Sequence, residues 1–289
     1  SHHSRSNLLL IYMKTRCYWN GRITTLDKIK IDPYDLGLLR GYGVFDVMCT
    51  QNGKAFLINE HWRRLQNSAK TLNLKIPVSR KKYAETVKKL LALNKFPKAN
   101  IRTVLTGGIS SNAFRYEPGR ETFFILIEKF RSLPEKIYSE GAGAVTLEYQ
   151  RDLPEAKITN YVEAIEHQKM KDKKGALEII FVKNGKALEA STSNIFIVKN
   201  RKVVTPRRGI LIGMTRNLTL WLAKKNGFKT EERDISEKEF RGADELFLTA
   251  TNKDIVPIVK VNGKKAGMGR PGPVTKALMK AFQKFAEQF

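Results

Sequence analysis

The chain has 289 residues, 42% of them hydrophobic and 28% charged, an ordinary make-up for a globular protein with one large or two medium domains. No run approaches the ~18 apolar residues of a membrane-spanning helix, so no membrane role is expected. The formal net charge of +25 favours polyanions, but the basic residues are spread along the chain rather than gathered in a tail.

Ser1–Ser6 reads as the remnant of an expression tag, with Met13 as the natural start, and Leu8–Tyr12 is too short and lacks the cleavage site of a signal peptide. Cys17 and Cys49 have no Cys-x-x-Cys or Cys-x-x-His spacing, so neither a structural zinc nor a disulfide framework is expected, and a reducing cytoplasm fits. With His2 and His3 in the tag, His61 and His167 remain, too few for a metal-binding or catalytic His cluster, and no metal is expected.

Asn-Gly pairs at Asn20, Asn52, Asn184 and Asn262 are hairpin signals. Val44–Cys49 with Ala55–Ile58 reads as one hairpin and Leu177–Val182 with Ala187–Glu189 as another, continued by Asn194–Val198 and Lys202–Thr205. Helical periodicity marks Glu60–Asn73, Arg80–Leu93, Tyr161–Lys173, Thr215–Asn226 and Val274–Phe285. Ser79 suits an N-cap, Gly227 the position past a helix end, and Pro273 a helix start. Further strands fall at Ile101–Thr106, Thr122–Glu128, Val145–Tyr149 and Glu245–Thr249. Strands and helices group twice over, which predicts an α+β protein of two α/β domains with mixed sheets. The expected boundaries are 13–130, a linker over 131–141, and 142–289.

Arg80–Lys82, Lys171–Lys174 and Lys224–Lys225 fall on polar helix faces, so the charge reads as a solvated surface. The non-enzymatic alternative is a basic nucleic-acid-binding protein, but zinc-finger, RNP1 and KH motifs are missing, and no specific nucleic acid is expected. Neither remaining His lies near a nucleophile elbow. Gly107-Gly108 lacks the Walker lysine and reads as a loop bordering a substrate pocket.

The richest stretch is Glu189-Ala-Ser-Thr-Ser-Asn194-Ile-Phe196, followed by Gly213-Met-Thr-Arg216. An acid ends an apolar strand and a Gly-x-Thr turn opens a helix, an arrangement suited to a cationic ring nitrogen and a phosphate. Taken alone, Glu189 reads equally as a strand-end surface acid, the Gly-x-Thr turn as an ordinary helix cap, and Arg64 as a solvent-facing cation.

Asp35–Phe45, His61-Trp-Arg-Arg-Leu65 with Ser68-Ala69, Ala156-Lys157-Ile-Thr-Asn-Tyr161, Glu189–Phe196, Gly213–Arg216 and Gly272–Lys276 occur in order. Together they resemble the class IV aminotransferases, the fold-type IV pyridoxal 5'-phosphate enzymes. That family includes D-amino acid and branched-chain aminotransferases and aminodeoxychorismate lyase.

The resemblance implies catalytic Lys157 on the cofactor aldehyde and Glu189 on the ring nitrogen. It implies that Arg64, Met214, Thr215, Ala250 and Thr251 hold the phosphate region, Leu211 packs on the ring and Tyr161 binds the phenolic oxygen. It further implies a homodimer acting on amino acids and 2-oxo acids.

Members specific for D-amino acids carry Tyr in the first motif and an Arg-x-His trap; this chain has Leu38 and Thr106-Gly107-Gly108 there. Arg40 and Arg102 resemble a less usual D-specific subgroup that binds the substrate carboxylate with arginines, although Thr192 stands where that subgroup has a third arginine. Leu38, Arg40, Arg102, Gly107 and Thr192 are therefore the expected substrate contacts. The plainer alternative is an interface salt bridge for Arg40 and a structural role for Arg102. The expected activity is a transaminase with D-amino acid donors, ahead of branched-chain L-amino acids and then the lyase.

Overall fold

Short strands joined by Asn-Gly turns account for most of the architecture of the computed structural model, which describes residues 13–289. The tag-like leader and Leu8–Tyr12 lie outside the described residues. The chain forms two units: the stretch up to Phe130 joined by Ala156–Asn160, and Arg131–Glu155 joined by Tyr161–Phe289.

The first unit runs β1 (Arg16–Trp19), β2 (Arg22–Thr25), α1 (Leu36–Arg40), β3 (Gly43–Gln51), β4 (Lys54–Ala55), α2 (Ile58–Thr71), α3 (Arg80–Asn94), β5 (Ala99–Thr106) and β6 (Thr122–Lys129). Its sheet, ordered β2-β1-β6-β5-β3-β4, is antiparallel throughout. The second hairpin strand stops at Ala55, because Ile58 already begins α2. Trp62, Leu65 and Ala69 of α2 and Tyr83, Val87 and Leu90 of α3 share one core with Val44, Met48, Ile101, Leu105 and Phe123 from the strands. Removing each such side chain from water contributes about 1.5–3 kcal/mol. Ser79 caps α3 by accepting from the Lys82 N–H at 3.2 Å, as its position predicts.

Ala156–Asn160 returns to this unit and extends its sheet at β3. The Phe45 N–H donates to the Lys157 carbonyl at 2.9 Å and the Thr159 N–H to the Gly43 carbonyl at 3.0 Å. Ala156 and Ile158 then point into the core.

The second unit runs α4 (Glu135–Glu140), β7 (Ala142–Glu148), α5 (Val162–Glu166), α6 (Gln168–Lys173), β8 (Glu178–Lys183), β9 (Lys186–Ala190), β10 (Asn194–Lys199), β11 (Lys202–Thr205) and α7 (Met214–Lys225). It continues with β12 (Thr230–Glu232), β13 (Ile235–Ser236), α8 (Glu237–Arg241), β14 (Glu245–Ala250), β15 (Asp254–Val261), β16 (Lys264–Lys265) and α9 (Pro273–Glu287). The sheet order is β12-β11-β10-β14-β15-β7-β8-β9-β13, with β16 on β15. β7 lies parallel to both β15 and β8, and β11 to β12, so the mixed pairing belongs to this unit. Asn194 pairs with Glu189, bringing β10 back to β9 and closing the sheet on itself like a barrel.

At Asn20-Gly21, Asn52-Gly53, Asn184-Gly185 and Asn262-Gly263 both residues take positive φ, between 41° and 98°. Two-residue turns between right-twisted strands require that left-handed pair. Besides short elements outside the sequence reading, such as α1 and α8, several local features differ from it. Residues 131–141, expected as a linker, carry α4 and belong to the second unit, while Lys157 and its neighbours belong to the first. The helix expected over Tyr161–Lys173 breaks at His167, where ψ opens to 6°. β15 was not expected at all, because Pro257, which sits opposite Phe247, removes a ladder donor and masks the strand pattern.

No helix among the described residues is long and apolar enough to cross a membrane.

Candidate active site

In the first unit, the 3–4 spacing along α2 puts His61, Arg64 and Ser68 on the same buried stripe as Leu65 and Ala69. Polar groups so placed need partners, and β3 provides one. Its alternation turns Val44, Asp46 and Met48 inward, so a carboxylate occupies a core position beneath α2. Arg64 grips Asp46 with Nε at 2.7 Å and Nη2 at 3.0 Å, and His61 Nδ1 donates to the same carboxylate at 2.6 Å. Arg64 is therefore buried, and its Nη1 edge is not engaged by Asp46.

Burial alone would raise the Asp46 pKa, but the Arg64 guanidinium and His61 hold it well below the usual carboxylate range. His61 moves down from its ordinary value chiefly through burial, which the Asp46 charge only partly offsets, and Arg64 and Lys157 disfavour a further positive charge. The ring is thus neutral at pH 7.

Ser68 accepts from the Lys157 backbone N–H at 2.9 Å, which gives the Ser68-Ala69 motif a physical role: it pins the lysine's segment against α2. The half-buried Lys157 side chain places Nζ 4.5 Å from the centroid of the Phe45 ring.

The first-motif segment is tied down by Asp35, 1% exposed, which accepts from the Gly37 N–H at 2.7 Å, Thr106 Oγ1 at 2.7 Å and Thr122 Oγ1 at 2.6 Å. Gly107 donates to the Tyr42 carbonyl at 3.0 Å, and a Cβ on it would strike Tyr42 and Leu36. α1 thereby presents Leu38, 66% exposed, and Arg40. The Arg40 guanidinium lies 5.7 Å from the Phe114 ring centroid and has no acidic partner among the described residues. Arg102 is placed differently: its fork closes on Glu128 at 2.9 and 3.2 Å, so its charge is already matched.

In the second unit, Glu189 lies buried near the end of β9, with Oε1 accepting from Arg151 Nε at 2.8 Å and Oε2 from the Leu211 N–H at 3.0 Å. Arg151 also donates to the Pro154 carbonyl at 2.6 Å. Nothing in the sequence pattern had marked Arg151. The neighbouring Asn194 holds the Leu211 carbonyl at 2.7 Å and fills the space over Gly213, where a Cβ would overlap its amide. The glycine is required there by close approach.

The Gly-x-Thr turn leads into α7, whose first N–H groups point out of the helix without intrahelical acceptors. Those of Met214 and Thr215 find no acceptor among the described residues. Thr249 Oγ1, beside Ala250 and Thr251, is buried without a hydrogen-bond partner among the described residues, as is Arg216 Nε in the first turn of α7. Unused donors at a helix start, a hydroxyl-bearing turn at Thr251 and a buried acid at Glu189 fit a phosphorylated ring with a basic nitrogen.

Tyr161 is half-buried at the start of α5, where its carbonyl accepts from the Ile165 N–H. Thr192 is drawn away from a simple substrate contact: its hydroxyl donates to Glu178 at 2.5 Å. His167 sits with Glu163 and Glu166, their ligand atoms within 4.8 Å of one another, an acidic surface group that calls for no ion.

Residues 43–261 match the family described as amino-transferase class IV. The chain is 31% identical over 277 residues to a putative branched-chain-amino-acid aminotransferase of Methanocaldococcus jannaschii, covering 93% of this chain and 95% of that one. It is 32% identical over 269 residues to a D-alanine aminotransferase of Listeria monocytogenes, covering 91% and 93%. The fold superposes on the branched-chain amino acid aminotransferase of Escherichia coli with a TM-score of 0.88 at 26% identity, over 95% of both chains.

Proposed function

The chain belongs to the class IV aminotransferases, pyridoxal 5'-phosphate enzymes that pass an amino group between an amino acid and a 2-oxo acid, and from that premise we propose D-amino acids as its donors. The cofactor supplies an electron-accepting ring to which charge from the substrate Cα delocalises. Everything else in the reaction falls to the protein. Lys157 would hold the cofactor through its aldehyde carbon, and its amine would carry the proton away from the substrate Cα. Glu189, oriented by Arg151 and the Leu211 N–H, would receive the ring nitrogen. The N–H groups of Met214 and Thr215 and the Thr215 and Thr251 hydroxyls would hold the phosphate, with Ala250 lining the turn, and Arg64 is the further cation that the family pattern assigns to it. Leu211 would cover one ring face and Tyr161 would take the phenolic oxygen.

The observation that carries the donor assignment is Arg40, a cation with no acidic partner among the described residues, on a segment fixed by Asp35. A substrate carboxylate needs such a charge, and Leu38 and Gly107 stand beside it on the same segment or packed against it. Arg102 contributes field rather than a free fork, since Glu128 occupies it. Thr192 contributes through the turn it stabilises. The 32% identity with a D-alanine aminotransferase supports the same reading. The second reading, branched-chain L-amino acid donors, draws support from the 0.88 TM-score with the Escherichia coli enzyme.

Tyr34 at 60% and Leu38 at 66%, beside and on the first-motif segment, and Phe114 at 80% on the loop after β5 expose apolar surface suited to cover by a second copy in a homodimer. Cys17 and Cys49 are buried thiols, consistent with a reducing, cytoplasmic setting.

A donor panel of both enantiomers of Ala, Glu and Leu, followed by spectral conversion of the bound cofactor, tests the assignment. D-Ala and D-Glu are expected to convert it. Reaction with L-Leu alone contradicts the D-specific reading and leaves the branched-chain one.

A further inference from the structure

The turn that follows Glu189 is held by a buried acid outside the roles above. Glu178 opens β8 with its side chain 2% exposed. Its Oε1 accepts from Thr192 Oγ1 at 2.5 Å, Ser193 Oγ at 2.9 Å and Lys253 Nζ at 2.6 Å, and its Oε2 from Ser191 Oγ at 2.5 Å. Lys253 donates also to Thr192 Oγ1 at 2.5 Å, with its own side chain only 13% exposed. Burial by itself would push the Glu178 carboxyl up, yet the Lys253 ammonium and the hydroxyls bring it below its ordinary value.

These donors come from two turns that nothing in the sequence brings together, since Thr192 and Lys253 are 61 residues apart. The first turn, closed by the Ala190 N–H on the Ser193 carbonyl at 2.7 Å, directly follows Glu189. The second, closed by the Lys253 N–H on the Ala250 carbonyl at 3.2 Å, contains Thr251. Both turns consist of small or polar residues. A fully satisfied ionic network at this depth rigidifies whatever it joins.

We propose that Glu178 and Lys253 are positioning residues: their pair clamps the turn after Glu189 to the turn bearing Thr251, and so pre-sets the spacing between ring-nitrogen acid and phosphate hydroxyl. The proposal rests on the roles assigned above to Glu189 and Thr251. Without the clamp, cofactor binding must order both turns, and affinity falls by that ordering cost. Lys253 is the safer site to change, because it lies in a turn and its loss leaves Glu178 with three hydroxyl donors.

The test is titration of pyridoxal 5'-phosphate into the full chain stripped of cofactor, read by visible absorbance. Five proteins are compared: wild type, Glu178→Gln, Lys253→Met, the double variant, and Glu245→Gln as a stability control. Glu245 accepts from the Val274 and Thr275 N–H groups and anchors α9, away from both turns. Either clamp variant is expected to raise Kd about tenfold, the scale of losing a supporting hydrogen-bond partner behind a binding group. The double variant should be no weaker than the worse single one, since both act through one contact. Glu245→Gln should lower Tm and leave Kd unchanged. A Lys253→Met Kd within twofold of wild type overturns the proposal, as does additivity in the double variant. Failure of the underlying reading looks different: wild type then takes up no cofactor, or Lys157→Ala binds it with the wild-type spectrum.

Discussion

Lys157→Ala is expected to abolish useful transamination, with turnover down by roughly 10²–10⁴-fold, the scale on which a positioned proton-transfer group contributes. The whole chain of roles depends on this amine. Its segment is fixed at the backbone by Phe45, Gly43 and Ser68, so truncation of the side chain is expected to leave the fold intact. Circular dichroism and Tm should be close to wild type while the visible band of the lysine-bound cofactor disappears. Substantial turnover in the alanine variant removes Lys157 from the mechanism.

Asp46→Asn is expected to produce the largest loss of stability. The substitution preserves shape but leaves Arg64 charged, 8% exposed and without its carboxylate. Breaking one side of a buried pair costs about 3–5 kcal/mol, against a total of ~5–15 kcal/mol for a typical fold. Urea denaturation should show the midpoint falling steeply. An unchanged midpoint means that the pair contributes nothing net.

The same node sets a pH dependence. His61 is held neutral in the fold, below its ordinary value, so an unfolded chain takes up a proton there that the folded chain refuses. Its stabilisation is present in full above ~6.5 and declines as pH falls from there toward the lowered folded value, by at most about 1.4 kcal/mol per pH unit. Asp46 shares this sign at more acid pH: its contribution is full above the unfolded ~3.9 and is lost progressively as pH falls from there to the depressed folded value. His61→Gln should flatten the limb between neutral and mildly acid pH.

Much of the fold can be read from local chemistry. The Asn-Gly turns need a backbone geometry that few other residues tolerate, and Ser79, Gly227 and Pro273 mark helix ends for reasons contained within a few residues. At Gly227 the Phe228 N–H returns to the Ala223 carbonyl, closing α7 through a positive-φ glycine. β15 escapes notice because Pro257 is acceptable only once the strand's neighbours are known.

The candidate site divides along the same line. Lys157, Glu189 and the Gly213 turn stand out through their motifs, which encode contacts within short stretches. Arg102 and Glu128 lie 26 residues apart and meet only through the pairing of β5 with β6. Arg151, Glu178 and Lys253 carry no motif, and their partners lie 38 and 75 residues away. One signal was available: Asp46 sits in the inward phase of Val44 and Met48, and a charged residue on a core face demands a buried partner.

The most direct measurement is hydride reduction of the cofactor-loaded protein, followed by peptide mapping of the stably attached pyridoxyl group. A single modified residue, Lys157, is the predicted result. Attachment at any other lysine, or at none, contradicts the account.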